Sequence, residues 1–202
     1  MAVSKIIKSK ERVRDLAEVF TGEREVRSML DLVQYLSENV EHTFFEPACG
    51  NGNFLLAILK RKLETVKVKY RKQLDMEFFT MKAVASIYGV DISEENIKEA
   101  QQRMLYEIKN FYSNTFNTKK PNEGFWDSVD CVLERNIIVG DMLNKIDEIV
   151  FIEYTTPRRH YFKRQEFRLA DQLKETKKAD TLFDVKIPLK NYKITNYLKL
   201  CS

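Results

Sequence analysis

Apolar positions follow helical spacing in some stretches of this chain and form short continuous runs in others. Helical spacing over residues 5–20 and again over residues 26–39 predicts two amphipathic helices near the N-terminus. A short apolar run at residues 42–46 predicts a strand, and an apolar helix is expected over residues 54–62. The highly charged residues 63–82 then indicate a helical extension or an insertion.

The middle of the chain repeats the order of strand and helix. Residues 84–91 and 137–141 are predicted strands that each end close to an acidic residue. Ser93 is a suitable N-cap for a helix that reaches about residue 111, and a polar loop and a short helix follow at 113–133. Strands that alternate with helices three times favour a parallel sheet with crossover helices, so we predict an α/β fold.

The pattern changes in the last quarter of the chain. Two aromatic-rich segments, residues 148–154 and 160–167, are separated by Thr-Thr-Pro-Arg-Arg, which predicts a β-hairpin with its loop at Pro157. Residues 169–179 are expected to form a short charged helix or a loop, and residues 192–200 a strand or a short helix. We therefore expect one domain, with a core over residues 1–145 and a hairpin with a basic extension over residues 146–202.

Charge is distributed unevenly along the chain. The net charge is only +4, but from Phe151 onward there are twelve Lys or Arg against six Asp or Glu. This excess is typical of a surface that faces phosphates in nucleic acid, although solvated helix faces give the same pattern. The remaining residues are slightly acidic.

Cysteine and hydrophobicity patterns exclude several other classes. Three widely spaced cysteines give neither a disulfide framework nor a Cys-x-x-Cys metal site, and only two histidines accompany them. No apolar run is long enough to span a bilayer, and the basic N-terminus lacks the apolar segment of a secretory signal. We expect a cytoplasmic protein without a metal ion or a membrane contact.

The sharpest local feature is a glycine turn between a predicted strand and a predicted helix. Gly50 and Gly52 permit positive φ and allow a ligand to lie against the backbone. Dinucleotide-binding folds use a related turn, but Leu55 occupies the position of their third glycine. Glu46, which precedes the turn, suits a cationic amino-acid group better than a pyrophosphate.

Two further strand ends carry acids that suit a nucleoside. Asp91 ends the second strand, where it is placed to accept both ribose hydroxyls, and simple helix capping by Asp91 and Ser93 is the alternative. Asp141 ends the third strand, where it can accept from an adenine amino group while Met142 packs on the ring. The alternative interpretation of Asp141 is an acidic residue at the N-terminus of a helix, without a role in ligand binding. Ligands of parallel sheets bind at the carboxyl ends of the strands, so one pocket would collect all three elements.

These residues resemble a known family. Residues 45–55, Phe-Glu-Pro-Ala-Cys-Gly-Asn-Gly-Asn-Phe-Leu, look like the first cofactor motif of the DNA adenine methyltransferases of restriction–modification systems and phages. Residues 88–92 and 139–142 are similar to its second and third motifs. Phe20-Thr21 resembles the family's Phe-Thr-Pro element, with Gly22 in place of the proline.

The resemblance implies a Rossmann-like methyltransferase fold that binds S-adenosylmethionine and methylates the exocyclic nitrogen of adenine in DNA. It covers about residues 12–143. The cofactor-binding residues that it implies are Phe20, Thr21, Glu46, Pro47, Ala48, Cys49, Gly50, Asn51, Gly52, Phe54, Asp91, Ile92, Asp141 and Met142.

The catalytic motif of the family is missing. Its Asn/Asp-Pro-Pro-Tyr/Phe loop holds the amino group and stacks on the flipped base, but this chain contains no Pro-Pro. By position the nearest equivalents are Glu153, as an acceptor, and Tyr154, as a stacking ring; an ordinary hairpin strand with an exposed Glu153 is the alternative.

Three functions follow as hypotheses. The first is a DNA adenine methyltransferase, which acts alone, with a partner chain or with a second copy of itself. The second is a catalytically incomplete subunit that binds the cofactor or DNA and regulates. Methylation of a small molecule or a protein is the third, since fold alone does not fix function.

Overall fold

The N-terminal part of the described chain consists of two short helices. The computed structural model describes residues 22–117, 119–175 and 187–201, so the helix expected over residues 5–20 lies outside it. Helix α1 spans Glu23–Asp31 and α2 spans Gln34–Glu38. The single helix predicted over residues 26–39 is therefore wrong: Val33 leaves the helical region, with φ −122° and ψ 35°.

Helices and parallel strands alternate through the centre of the chain, as the sequence predicts. The three strands pair in the order β1-β2-β3, with β2 in the middle, and both pairings are parallel. The elements are β1 (Phe44–Glu46), α3 (Asn53–Lys69), α4 (Gln73–Ala85), β2 (Ile87–Asp91), α5 (Glu94–Phe116), α6 (Phe125–Asn136) and β3 (Ile137–Val139).

Element boundaries differ from the prediction around α4. The charged residues 63–82 form the end of α3 and most of α4, whose Met76, Phe78 and Met81 are buried in the core. Val84 and Ala85 belong to α4 instead of the next strand. Both are buried, and periodicity alone cannot separate a buried helix end from a buried strand.

A second, antiparallel sheet follows the parallel one. Strands β4 (Val150–Arg158) and β5 (Tyr161–Arg168) form the predicted hairpin, and helix α7 (Leu169–Glu175) follows. The short strands β6 (Lys190–Asn191) and β7 (Thr195–Asn196) both pair with β5. A 3-10 turn over Tyr197–Lys199 ends the described chain.

The loop predicted at Pro157 is wrong. Strand β4 continues through Pro157, and the chain reverses at Arg159 and His160, where His160 has a φ of 67°. Strand β4 lies at the edge of its sheet, and its register shifts between Thr155 and Arg158. An edge position and an irregular register tolerate a residue that has no N–H to donate.

The hairpin packs on the parallel sheet. The Tyr88 hydroxyl on β2 donates to the Ile152 carbonyl on β4 at 2.8 Å. A small apolar cluster of Val90, Ile149 and Leu169 joins the end of β2 to the start of β4 and to α7. The start of the hairpin therefore lies near the carboxyl end of the parallel sheet.

Candidate functional site

Three strand–helix junctions meet at the carboxyl edge of the parallel sheet. The loop after β1 is tied to the end of β2, because the Cys49 N–H donates to the Val90 carbonyl at 2.9 Å. The Gly50 N–H donates to Oδ2 of Asp91 at 2.9 Å. From the other side, the Gly140 N–H after β3 donates to the Asp91 carbonyl at 3.0 Å. The three elements singled out in the sequence are thus neighbours in space.

Both glycines of the loop adopt left-handed backbone conformations. Gly50 has a φ of 52° and Gly52 a φ of 82°. Gly52 is also the N-cap of α3, and a Cβ built on it would lie 2.8 Å from Cβ of Ala100 on α5. The turn therefore needs glycine at position 52 both for its φ and for the close approach of α5.

Helix α5 holds the loop through Asn51. Its Nδ2 donates to Oε1 of Glu99 at 2.8 Å, and Nη1 of Arg103 donates to the Asn51 carbonyl at 2.7 Å. Oδ1 of Asn51 is buried and has no hydrogen-bond partner among the described residues. Sequence reasoning missed Glu99 and Arg103, since 48 and 52 positions separate them from Asn51. Their only local signal is i, i+4 spacing on one helix face.

Asp91 anchors the loop and also holds Ser93, the N-cap residue of α5, whose Oγ accepts from the Asn96 N–H at 3.3 Å. In addition to the Gly50 N–H on Oδ2, its Oδ1 accepts from the Ser93 N–H at 2.9 Å and from Nδ2 of Asn96 at 3.3 Å. The capping alternative raised from the sequence therefore describes part of its role. A carboxylate accepts about four hydrogen bonds, so three protein donors leave room for a ligand hydroxyl.

Two carboxyl groups lie near Cys49 of the loop, whereas Arg103 binds the neighbouring Asn51 carbonyl. Glu46 is half-buried and accepts from the Ala48 N–H, and burial raises the pKa of its carboxyl above the ordinary value. Burial, followed by the charges of Asp91 and Glu46, raises the pKa of the Cys49 thiol to about 12. Cys49 is consequently a protonated, buried thiol and not a nucleophile. Two carboxylates near one thiol favour a cationic ligand over a pyrophosphate.

Asp141 occupies the turn after β3. Its Oδ1 accepts from the Leu143 N–H at 2.9 Å and from the Asn144 N–H at 3.0 Å, and its Oδ2 accepts from Nδ2 of Asn144 at 2.9 Å. The hydrogen bonds from Asn144, the side-chain one foremost, hold the pKa of Asp141 below its usual range. Met142 packs against the cluster around Val90 and Ile149, so part of its side chain is already covered.

Three exposed apolar residues lie close in the chain or in the sheet to the two acids. Ile92 follows Asp91, Val139 lies opposite Asp91 in the sheet, and Leu143 follows Asp141 by two residues. These three side chains are 61%, 50% and 92% exposed. Exposed apolar groups beside acceptors are suited to a flat heteroaromatic ring that carries an amino group.

The other predicted cofactor residues occupy varied surroundings. Pro47 and Ala48 are exposed in the loop, and Phe54 is partly buried and packs on the main core. Phe20 and Thr21 lie outside the described residues.

Glu153 and Tyr154 are not brought to the glycine loop. They line a cavity of about 330 Å³ together with Thr43 and Ser86, which directly precede β1 and β2. That cavity lies at the amino ends of these strands, and a three-residue strand separates the two edges by about 10 Å. Tyr154 packs against Phe162, with the ring centroids 6.1 Å apart, and burial raises the pKa of its hydroxyl. Their catalytic role stays a prediction that this geometry does not support.

Comparisons with known proteins give no match for this chain: no family model, no curated protein and no solved structure matches it. Among the helices of the described ranges, none has the length and apolar character needed to cross a membrane. The described residues also contain no group of three or more His, Cys, Asp or Glu side chains placed to hold a metal ion.

Proposed function

We propose that this chain is the S-adenosylmethionine-binding part of a DNA adenine methyltransferase with a Rossmann-like core. One observation carries the proposal: the hydrogen bonds that join the loop at Cys49 and Gly50, the end of β2 at Asp91 and the start of the turn at Gly140. Ligands of parallel α/β sheets bind at this edge. The resemblance of residues 45–55 to the first cofactor motif supports the same conclusion.

The chemistry of the site fits this cofactor. S-adenosylmethionine carries an ammonium and a sulfonium group, which the carboxylates of Glu46 and Asp91 attract. Its ribose offers a hydroxyl donor to Asp91, and its adenine offers an amino group to Asp141. The exposed side chains of Ile92 and Leu143 would cover the two faces of the adenine ring.

We assign the binding of the flipped adenine to a partner chain. Extrusion of a base from DNA costs a few kcal/mol, which contacts in the pocket must offset. The residues nearest in sequence to the family's catalytic loop, Glu153 and Tyr154, line a cavity at the other edge of the sheet. A second chain, or a second copy of this one, would supply the group that accepts the target amino hydrogen.

Calorimetry tests cofactor binding. Wild-type protein should bind S-adenosylmethionine and its demethylated product, and Asp91→Asn should bind about tenfold to a hundredfold more weakly, because a hydrogen bond to a charged group is lost. Asp127→Asn on α6 is the matched control and should bind like the wild type. No heat with either compound from a folded wild-type chain would overturn the proposal.

Transfer of tritium from labelled cofactor to DNA tests the reaction. Methylated adenine formed with a partner chain present supports the methyltransferase. Cofactor binding without transfer under any condition supports a second candidate, a regulatory subunit that keeps the pocket without the chemistry. The placement of Glu153 and Tyr154 away from the glycine loop is the observation that favours this candidate.

A further inference from the structure

A second cavity lies between the parallel sheet and the hairpin. Its volume is about 280 Å³, which suits a small molecule. The parallel sheet provides one wall, α7 contributes Leu169 and Gln172, and the hairpin closes the other side. Four aromatic rings line it: Phe45, Tyr88, Phe151 and Phe167.

Three of these rings form a corner. The Phe151 ring lies 5.6 Å from the Phe45 ring at an interplanar angle of 75°, and 5.2 Å from the Tyr88 ring at 78°. Rings at near right angles to one another can form adjoining walls of a cavity. Stacked rings would instead cover one another's faces. The hydrogen bond from the Tyr88 hydroxyl to the Ile152 carbonyl fixes one wall of the corner.

The one formal charge in the lining of this cavity is negative. Glu153 is the one charged residue in its lining, and it is exposed. Within the described ranges, the Lys and Arg side chains that lie over aromatic rings do so at other rings, such as Phe44 and Tyr192. Burial foremost, and also the nearby charge of Glu153, raise the pKa of the Tyr88 hydroxyl, so this wall stays neutral.

We propose that this cavity binds a small quaternary ammonium compound, with the rings of Phe45, Tyr88 and Phe151 around the methylated nitrogen and Glu153 as the counter-ion. The negative faces of aromatic rings attract cations, most strongly those that shed water easily. None of the residues 46–54 lines the cavity, so this site is distinct from the glycine loop.

Two ligands of equal shape distinguish the contribution of charge to binding from that of hydrophobic contact. Choline has a cationic nitrogen where 3,3-dimethylbutan-1-ol has a neutral carbon. We would titrate each compound into the full chain in a calorimeter at matched ionic strength. Choline should bind at least about tenfold more tightly than 3,3-dimethylbutan-1-ol. Equal binding of the two compounds, or binding of neither, would overturn the proposal.

Two variants locate the site. Phe151→Leu keeps an apolar side chain at a partly buried position outside the cofactor motif but removes one ring, and Glu153→Gln removes the counter-ion. Each should weaken choline binding severalfold and leave the binding of S-adenosylmethionine unchanged. Tyr106→Leu on α5, where the side chain is 66% exposed, is the matched control. Choline binding that is unaffected by both variants, or weakened equally by the control, contradicts this location.

Discussion

At the scale of single residues, the most unusual side chain is a buried lysine. Lys62 on α3 is fully buried, and its Nζ donates to the His42 carbonyl at 2.5 Å and to Oγ of Ser86 at 2.6 Å. Among the described residues no carboxylate forms an ion pair with it. Burial lowers the pKa of this amine to about 7.

The free energy of unfolding should therefore rise with pH just above neutrality. The unfolded chain keeps the Lys62 proton up to a pKa of about 10.4, whereas the folded chain has released it. Between pH 7 and 8.5 the unfolded state binds more protons, so Lys62 contributes a positive slope of at most about 1.4 kcal/mol per pH unit. Urea unfolding at several pH values measures it.

Lys62→Met should flatten this slope. Above about pH 9 the buried Cys49 and Cys131 thiols, each with a pKa raised chiefly by burial to about 12, act in the opposite direction, because the unfolded chain loses those protons first. The comparison is accordingly confined to pH 7–8.5. An identical slope in wild type and variant would show that another group titrates there.

Gly52 gives a second prediction at the scale of one residue. Gly52→Ala should destabilise the protein by about 1–3 kcal/mol, because its φ is left-handed and the new Cβ meets Ala100. The glycine turn would also shift, so S-adenosylmethionine should bind more weakly. Urea denaturation and calorimetry measure the two effects.

A double mutant separates the two causes. Ala100→Gly removes the atom that the new Cβ meets but leaves the backbone conformation at position 52 unfavourable. The double variant should lose less free energy of unfolding than the two single variants added together. If the losses in the free energy of unfolding were strictly additive, the contact between position 52 and Ala100 would not contribute to the effect of Gly52→Ala.

At the scale of elements, the sequence predicted correctly those helices, strands and turns whose position depends on neighbouring residues in the chain. The glycine turn and the start of α3 are set by Gly50 and Gly52 themselves, so the sequence located them. The boundary at Val84 was missed because the packing of α4 in the core decides it. The hairpin turn was predicted at the wrong position because Pro157 is tolerated within an edge strand of irregular register. The edge position and the register depend on the neighbouring strand and cannot be inferred from Pro157 itself.

The candidate site was predictable to a similar extent. Alternating strands and helices placed Glu46, Asp91 and Asp141 at one edge, since parallel strands share their carboxyl end. The hydrogen bonds of Glu99 and Arg103 to Asn51 join residues far apart in the chain, and the i, i+4 spacing of Glu99 and Arg103 does not reveal their partner.

Several elements meet at one buried carboxylate, Glu77 of α4. It accepts from the Tyr112 hydroxyl of α5 and from the Tyr197 hydroxyl near the C-terminus, both at 2.8 Å, and from Nδ2 of Asn122 at 2.8 Å. Glu77 is 1% exposed, so each donor offsets part of the cost of burying its charge.

Tyr197→Phe should lower the free energy of unfolding by about 1.5–3 kcal/mol, as expected for a lost hydrogen bond to a charged group. Thermal and urea denaturation measure the loss. Tyr106→Phe on the exposed face of α5 is the matched control and should change stability by less than about 0.5 kcal/mol. A loss of the same small size in both variants would mean that the C-terminal turn does not depend on Glu77.

At the scale of the whole molecule, the charge separates along the chain. The acidic groups of the candidate cofactor site lie at or near the ends of the parallel strands, whereas the residues from Phe151 onward hold all of the basic excess. On the hairpin, the exposed Arg158 lies over the Tyr161 ring with its guanidinium carbon 3.9 Å from the ring centroid. Lys193 is exposed near the same sheet. Such side chains are available for phosphate contacts.

If this chain methylates DNA, these side chains should contribute to DNA affinity through phosphate contacts. The logarithm of the binding constant should fall linearly with the logarithm of salt concentration, and removal of Arg158 and Lys193 together should reduce that slope by about two. Fluorescence anisotropy with duplex DNA at several salt concentrations measures the slope. Lys98→Ala on α5 is the control, because this lysine pairs with Glu94 at 2.6 Å. An equal loss in the control would indicate general charge attraction, whereas an unchanged slope in the double variant would move the DNA-binding face away from the hairpin.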